Sequence, residues 1–184
     1  ERKQHSGRHL LADAADTASP LLDYLRAECP DVAFIAVGSL RRGAETAGDI
    51  DILATGTDPH VMSTFIMYKL VDRVLGQGDT KSSVLLRGGV QADLRLVPAE
   101  SRGAAMQYFT GSKSHNIALR DRAVSRGLKL NEYGLFRGER RLEVGDERAL
   151  YRHLGLAWIP PEMREGLDEI ELAERGLYVE SWLP

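Results

Sequence analysis

The stretch Gly38-Ser39-Leu40-Arg41-Arg42-Gly43, followed shortly by Asp49-Ile50-Asp51, decides the fold. The residues before it, Val32-Ala33-Phe34-Ile35-Ala36-Val37, form an apolar, partly β-branched run that predicts a buried strand over 33–37. That strand stops at Gly38-Ser39. A glycine there lets the backbone approach a ligand closely, and free N–H groups past a strand end suit an anion. Arg42, in the loop that follows, offers a planar fork for phosphate oxygens. The second apolar run predicts a strand over 49–54. Side chains alternate along a strand, so Asp49 and Asp51 point the same way. Two carboxylates on one face repel each other unless a cation lies between them, and hard oxygen ligands favour Mg²⁺.

A third acid lies in Val90-Gln91-Ala92-Asp93-Leu94-Arg95-Leu96-Val97. Ala92, Leu94 and Leu96 face one side of this strand, while Gln91, Asp93 and Arg95 face the other. An acid in mid-strand is expensive without a partner. It pairs either with Arg95 on an exposed face or with Asp49 and Asp51 on a neighbouring strand. In the second arrangement the three carboxylates hold two Mg²⁺ ions about 3.5–4 Å apart, the geometry of in-line phosphoryl transfer.

Around these strands the pattern predicts helix over 6–28, with Pro20 a break or the first turn of a second helix. A turn at Gly56-Thr57-Asp58-Pro59 leads into a helix running to about Leu75, capped by Asp58. Its core stripe is Met62, Phe65, Ile66, Leu70 and Val74, and Gly76-Gln77-Gly78 ends it. Strand 80–87 turns at Gly88-Gly89 into strand 90–97 as a hairpin. Residues 103–127 read as helices around a turn at 110–113, with Gly127 as C-cap. Short strands 128–130 and 134–136 form a small hairpin. A helix over 147–154 is capped by Gly155, and Pro160-Pro161 ends a further segment. The acidic, weakly amphipathic stretch 162–175 packs on the second subdomain or leads out of it. The expected fold class is α+β: a mixed sheet with helices on one face over 1–100, then a small α+β subdomain over 101–184.

Composition bounds the function classes. With 184 residues, the chain holds one domain or two small subdomains. No apolar run approaches the length of a membrane span. The single cysteine, Cys29, permits no internal disulfide and fits a reducing compartment. His5 and His9 share a helix face in this reading but lack a third ligand. The net charge of −3 argues against a nucleic-acid partner until its distribution is considered. Residues 101–141 carry nine basic and three acidic groups, whereas 142–184 carry four basic and ten acidic. The positive charge is local, as phosphate contacts require.

The run GSLRRGAETAGDIDIL resembles the palm signature of the nucleotidyltransferase superfamily, and of the family X DNA polymerases within it. A second block agrees: Tyr108-Phe109-Thr110-Gly111-Ser112, then Asn116 and Arg120, then Asn131-Glu132-Tyr133. The first motif alone indicates a nucleotidyltransferase; the second, in this order after the third aspartate, singles out the polymerases. The resemblance covers about residues 1–155. It implies that Gly38, Ser39, Arg42 and Gly48 bind the nucleotide phosphates. Asp49 and Asp51 would ligate both metals, and Asp93 the catalytic one beside the primer 3′-hydroxyl. Tyr108 and Phe109 would lie beneath the sugar, with Gly111 allowing the approach. Asn116 would reach the minor-groove edge of the incoming base, and Arg120 the template strand. Gln91 and Lys113 depart from vertebrate members, which carry an arginine and an acid there; both choices resemble the bacterial branch. Lys113 would tighten nucleotide binding through the triphosphate.

The activity implied is template-directed DNA synthesis for gap filling in repair. It would use two Mg²⁺ ions, or Mn²⁺, a deoxynucleoside triphosphate and a primer-template or gapped DNA. The chain would act as a monomer in the cytoplasm, at the nucleoid in a bacterium, without a membrane. Nothing here matches the lyase domain that usually precedes the palm or the phosphoesterase domain that follows it in bacteria, so the chain reads as an excised core. Two other classes share part of the pattern. One is a nucleotidyltransferase acting on RNA or a small molecule, which needs no Tyr108–Ser112 block. The other is a DNA-binding module without catalysis, against which all three acids speak.

Overall fold

The computed structural model describes residues 9–44 and 46–176. The chain forms two compact units, the first ending at Pro98 and the second beginning at Ala99. Among the described residues no helix is long and apolar enough to cross a membrane.

The first unit opens with β1 (His9–Leu10) and α1 (Leu11–Glu28), then β2 (Ala33–Val37), the short helix α2 (Gly38–Arg42), β3 (Thr46–Ala47) and β4 (Ile50–Thr55). It continues with α3 (His60–Ile66), β5 (Val71–Gln77), β6 (Lys81–Leu86) and β7 (Gln91–Val97). Five strands make a mixed sheet in the order β2-β4-β7-β6-β5, in which β4 and β7 run parallel and the other pairs antiparallel. One sheet face (Ile50, Ile52, Ala54, Ala92, Leu94, Leu96) packs on Leu21 and Leu25 of α1 and on Val61, Met62 and Phe65 of α3. That leaves the faces of Asp51 and Asp93 turned away from this core.

Several expectations change here. The helix predicted from residue 6 starts at Leu11, and its first residues fall outside those described. His9 lies in a strand rather than on a helix face, and His5 is outside the described residues. Pro20 does not break α1. Ala14, Ala18, Leu21 and Leu25 form one buried stripe across it, and that packing outweighs a defect of about 3 kcal/mol. The presumed loop at Arg41 and Arg42 is helical, closed by Gly43 in the left-handed region.

The largest correction concerns 59–75. Asp58 does accept the His60 N–H at 2.9 Å, but the helix ends at Ile66 and the chain re-enters the sheet as β5. Met67 is exposed, and Val74 and Leu75 are 43% exposed, so Val74 is not core. Val71 and Val74 are β-branched and Gly76 opposes helix, so pairing with β6 prevails over the weak helical stripe. Exposed Asp72 and Arg73 suit an edge strand. The β6–β7 hairpin turns at Gly88 and Gly89, both at positive φ, as expected.

The second unit contains α4 (Arg102–Thr110), α5 (Lys113–Ser125), β8 (Lys129–Asn131), β9 (Gly134–Arg137), β10 (Arg140–Leu142), α6 (Glu147–His153) and α7 (Glu169–Glu174). The expected two-stranded hairpin is a three-stranded antiparallel sheet, because Arg140–Leu142 adds a strand. Leu119, Leu130, Leu135, Leu150 and Leu154 are fully or almost fully buried in its core. Asp146 caps α6 by accepting the Ala149 N–H at 2.8 Å.

Candidate active site

In the first unit the register builds the site. Val37 pairs with Asp51 across the antiparallel β2–β4 ladder, and Asp51 pairs with Asp93 across the parallel β4–β7 ladder. Three adjacent strands therefore present the end of β2 and two carboxylates at one level. Gly38 follows directly, at φ 65°. A Cβ there would lie 2.6 Å from Asp51 Oδ2. Only glycine lets the turn rest on that carboxylate, a requirement both conformational and steric.

Asp49 sits just before β4 and is exposed, whereas Asp93 is 7% exposed. Gln91 Nε2 donates to Asp93 Oδ1 at 3.1 Å, a neutral hydrogen bond to a buried carboxylate. Burial first, and then the like charges of Asp93 and Asp49, raise the Asp51 carboxyl from 3.8 to about 6, against the opposing pull of Arg95 and Lys81. Ser39 and Arg42 share α2, where Arg42 Nη2 donates to Ser39 Oγ at 3.4 Å. Gly48 occupies the bend before Asp49. Among the described residues, no three of Asp, Glu, His and Cys form a ready-made cation cage. The donor set nonetheless suits a hard divalent cation: all oxygen, all anionic, and raised in energy by mutual repulsion.

The burial of Asp51, with that repulsion added to it, has a measurable consequence. The Asp51 value is higher in the folded chain than in the unfolded one, so the folded state holds this proton more tightly. Stability falls as pH rises from about 4 to about 6, and the penalty is complete above that window. Asp51→Asn is expected to raise the unfolding free energy by about 2 kcal/mol at pH ~7.5 and by almost nothing at pH ~4. Urea denaturation in a chelator at the two pH values measures this. A gain of equal size at both would remove titration of Asp51 as its cause.

In the second unit, Tyr108 and Phe109 close α4 with their rings edge to face, 5.0 Å apart. Gly111 follows at φ 69°. Ser112 then caps α5, its Oγ accepting the His115 N–H at 3.2 Å. Asn116 is buried, with both ends of its amide engaged. Its Nδ2 donates to the Tyr108 carbonyl at 2.7 Å, and its Oδ1 accepts from Gln107 Nε2 at 2.6 Å. In this chain the amide therefore holds the Tyr108 backbone in place. Lys113 and Arg120 are exposed on α5.

The structure thus brings Gly38, Asp51 and Asp93 together in one unit and Tyr108, Gly111 and Asn116 together in the other. Sequence reading missed Gln107, whose only signal was a polar residue on an apolar helix. It also missed the bond from the Ser112 N–H to the Arg164 carbonyl, 3.0 Å. That contact spans more than fifty residues, and no local pattern announces it.

The DNA polymerase beta palm model matches residues 12–92, and the DNA polymerase beta thumb model matches residues 105–165. The Bacillus subtilis protein named DNA polymerase/3′-5′ exonuclease PolX is 39% identical over 149 residues, which make up 76% of this chain and 25% of that protein. The repair DNA polymerase X of an African swine fever virus isolate is 30% identical over 139 residues, 71% of this chain and 80% of the viral protein. A crystal structure of Leishmania infantum polymerase beta in a ternary P/T complex shares the fold, with a TM-score of 0.75 at 24% identity over 86% of this chain and 77% of that one. The chain spans about a quarter of the Bacillus relative and four fifths of the viral one. With palm and thumb models matched in order and a viral repair polymerase aligned over most of its length, this chain belongs to the DNA polymerase X family.

Proposed function

We propose that this chain is a template-directed DNA polymerase core. The primer 3′-hydroxyl attacks the α-phosphorus of a deoxynucleoside triphosphate, the new phosphodiester forms, and pyrophosphate leaves. The observation that carries this reading is the in-register Asp51–Asp93 pair against the Gly38 turn, with Asp49 adding its charge. Asp49, Asp51 and Asp93 would hold two Mg²⁺ ions, or Mn²⁺. Metal bound there supplies Lewis-acid chemistry, lowering the hydroxyl pKa and offsetting charge on the triphosphate.

The chain's own residues do the rest. Gly38, Ser39, Arg42 and Gly48 position the phosphates, and Lys113 opposes the charge of the departing pyrophosphate. Tyr108 and Phe109 support the sugar, with Asn116 fixing the Tyr108 carbonyl. Arg120 meets the template strand. In this reading the unit through Pro98 is the catalytic palm, and the remainder binds nucleotide and template. Gap filling in repair, a monomeric state and action in the cytoplasm or at the nucleoid belong to the same proposal.

The test is primer extension on a one-nucleotide-gapped duplex with Mg²⁺ or Mn²⁺. Template-matched incorporation is the expected result. Untemplated addition to single strands or to RNA would replace this reading with another nucleotidyltransferase. DNA binding without incorporation under either metal would favour a non-catalytic module.

A further inference from the structure

The three-stranded sheet of the second unit carries a feature that the nucleotide site does not use. Leu130, Leu135 and Leu142 point into the core, so the alternate residues face outward. Three of these are in register across the strands: Lys129 on β8, Phe136 on β9 and Arg141 on β10. Opposite charges or β-branched pairs are the usual occupants of such a cross-strand row. Here two cations flank one aromatic ring. Lys129 Nζ lies 5.2 Å, and Arg141 Cζ 5.0 Å, from the Phe136 centroid. The ring's negative face attracts both, and so holds two like charges at a fixed spacing.

Gly134 completes the arrangement. A Cβ there would meet Arg141 Nη1 at 2.6 Å and the Phe136 ring at 3.2 Å. Without it, the guanidinium lies along the sheet and donates to the Tyr133 carbonyl. Arg137 and Arg140, paired where β9 turns into β10, are exposed but fall on the alternation of Leu135 and Leu142 and so lie outside this row. The nearby acids do not cancel the row. Glu100, itself 66% exposed, reaches Arg141 only at 4.0 Å. Glu132 and Glu139 lie in the turns, and among the described residues Lys129 pairs with no carboxylate.

We propose that this outer sheet face is a phosphate clamp that grips the DNA backbone through Lys129 and Arg141, held apart by Phe136. The proposal rests on the polymerase reading and extends it to a DNA contact separate from the α5 helix. Two fixed cations on a ring suit consecutive phosphodiesters, and they carry no sequence information.

The test is equilibrium binding of the whole chain to gapped DNA, with and without a 5′ template overhang, between about 50 and 200 mM salt. Lys129→Gln combined with Arg141→Gln should weaken binding about tenfold at low salt. It should also flatten the dependence of log K on log salt by about 1.4–1.8, two contacts' worth. Lys129→Glu alone should weaken binding in the same sense, and Lys129→Arg should restore it. Phe136→Leu, which keeps both charges, should lower affinity with little change in slope. A larger loss on the overhang substrate assigns the clamp to the unpaired strand; an equal loss assigns it to the duplex. Wild-type binding with unchanged affinity and slope in the double and Lys129→Glu variants would overturn the clamp and leave the polymerase reading intact. Failure of the wild-type chain to bind any DNA would remove both.

Discussion

Asp93→Ala is expected to lower templated nucleotide incorporation by about a thousandfold, the equivalent of about 4 kcal/mol of transition-state stabilisation, while leaving the fold in place. The reasoning starts from register. Asp93 stands opposite Asp51 on a parallel neighbour strand and is almost fully buried, yet its described hydrogen bond comes from a neutral amide, Gln91. A buried acid beside a second acid is a poor structural element: burial, and then the charge of Asp93, raises the energy of the charged form of Asp51. Removing Asp93 relieves the repulsion on Asp51, so unfolding in urea should show no loss beyond about 1 kcal/mol, apart from the small cavity. A large loss of rate with stability kept therefore separates a chemical role from a structural one. The assay is single-turnover extension on gapped DNA, with Asp93→Asn as the isosteric control. Wild-type rates in either variant would remove Asp93 from the proposed metal site.

How much of this is legible in the sequence depends on the range of the interaction. The pieces of the first unit's site lie at strand ends marked by alternation and glycine, so Gly38, Asp49, Asp51 and Asp93 could be named from the chain itself. Their pairing needed topology: β4 and β7 are neighbours although α3, β5 and β6 intervene in sequence. The failure at 59–75 had the opposite cause. Val74 fits a helical stripe as well as a strand, and what decides between them is its pairing with Val84 of β6, which no window of residues contains. Pro20 misled because a local rule was overridden by the buried stripe around it. In the second unit the Tyr108–Ser112 turn was visible, but what supports it was not. The family resemblance implies a nucleotide-facing Asn116; what it does not announce is that the amide also bonds to Tyr108 and Gln107.

That support extends to a buried ion pair, and breaking it is the second large effect. Arg164 is fully buried and forks onto Glu147, Nη1 to Oε2 at 2.7 Å and Nη2 to Oε1 at 3.2 Å. Its Nε donates to the Ile159 carbonyl at 2.9 Å, and its guanidinium lies over the Tyr151 and Trp158 rings. Trp158 Nε1 also donates to Glu147, at 3.3 Å. The pair is thus hydrogen-bonded on every side, the condition under which a buried ion pair is tolerated at all. Glu147→Gln keeps the shape and removes the charge, leaving a cation without its counter-charge. It is expected to destabilise the chain by about 3–5 kcal/mol, a large share of a typical total of about 5–15 kcal/mol.

Replacing both partners by apolar residues, Glu147→Leu with Arg164→Met, should recover most of that loss, because neither charge is then stranded. Urea unfolding of the single and double variants measures the difference, and a double variant no better than the single would place the energy in the Trp158 and Ile159 contacts instead. The Arg164 carbonyl also accepts the Ser112 N–H at the start of α5. The double variant, with the guanidinium gone and the backbone contact kept, therefore tests whether the Tyr108–Ser112 turn depends on the charge or on the path of the main chain. An unchanged KM for the deoxynucleotide in that variant would assign the turn's geometry to the main chain, and a KM raised at constant stability would assign it to the ion pair.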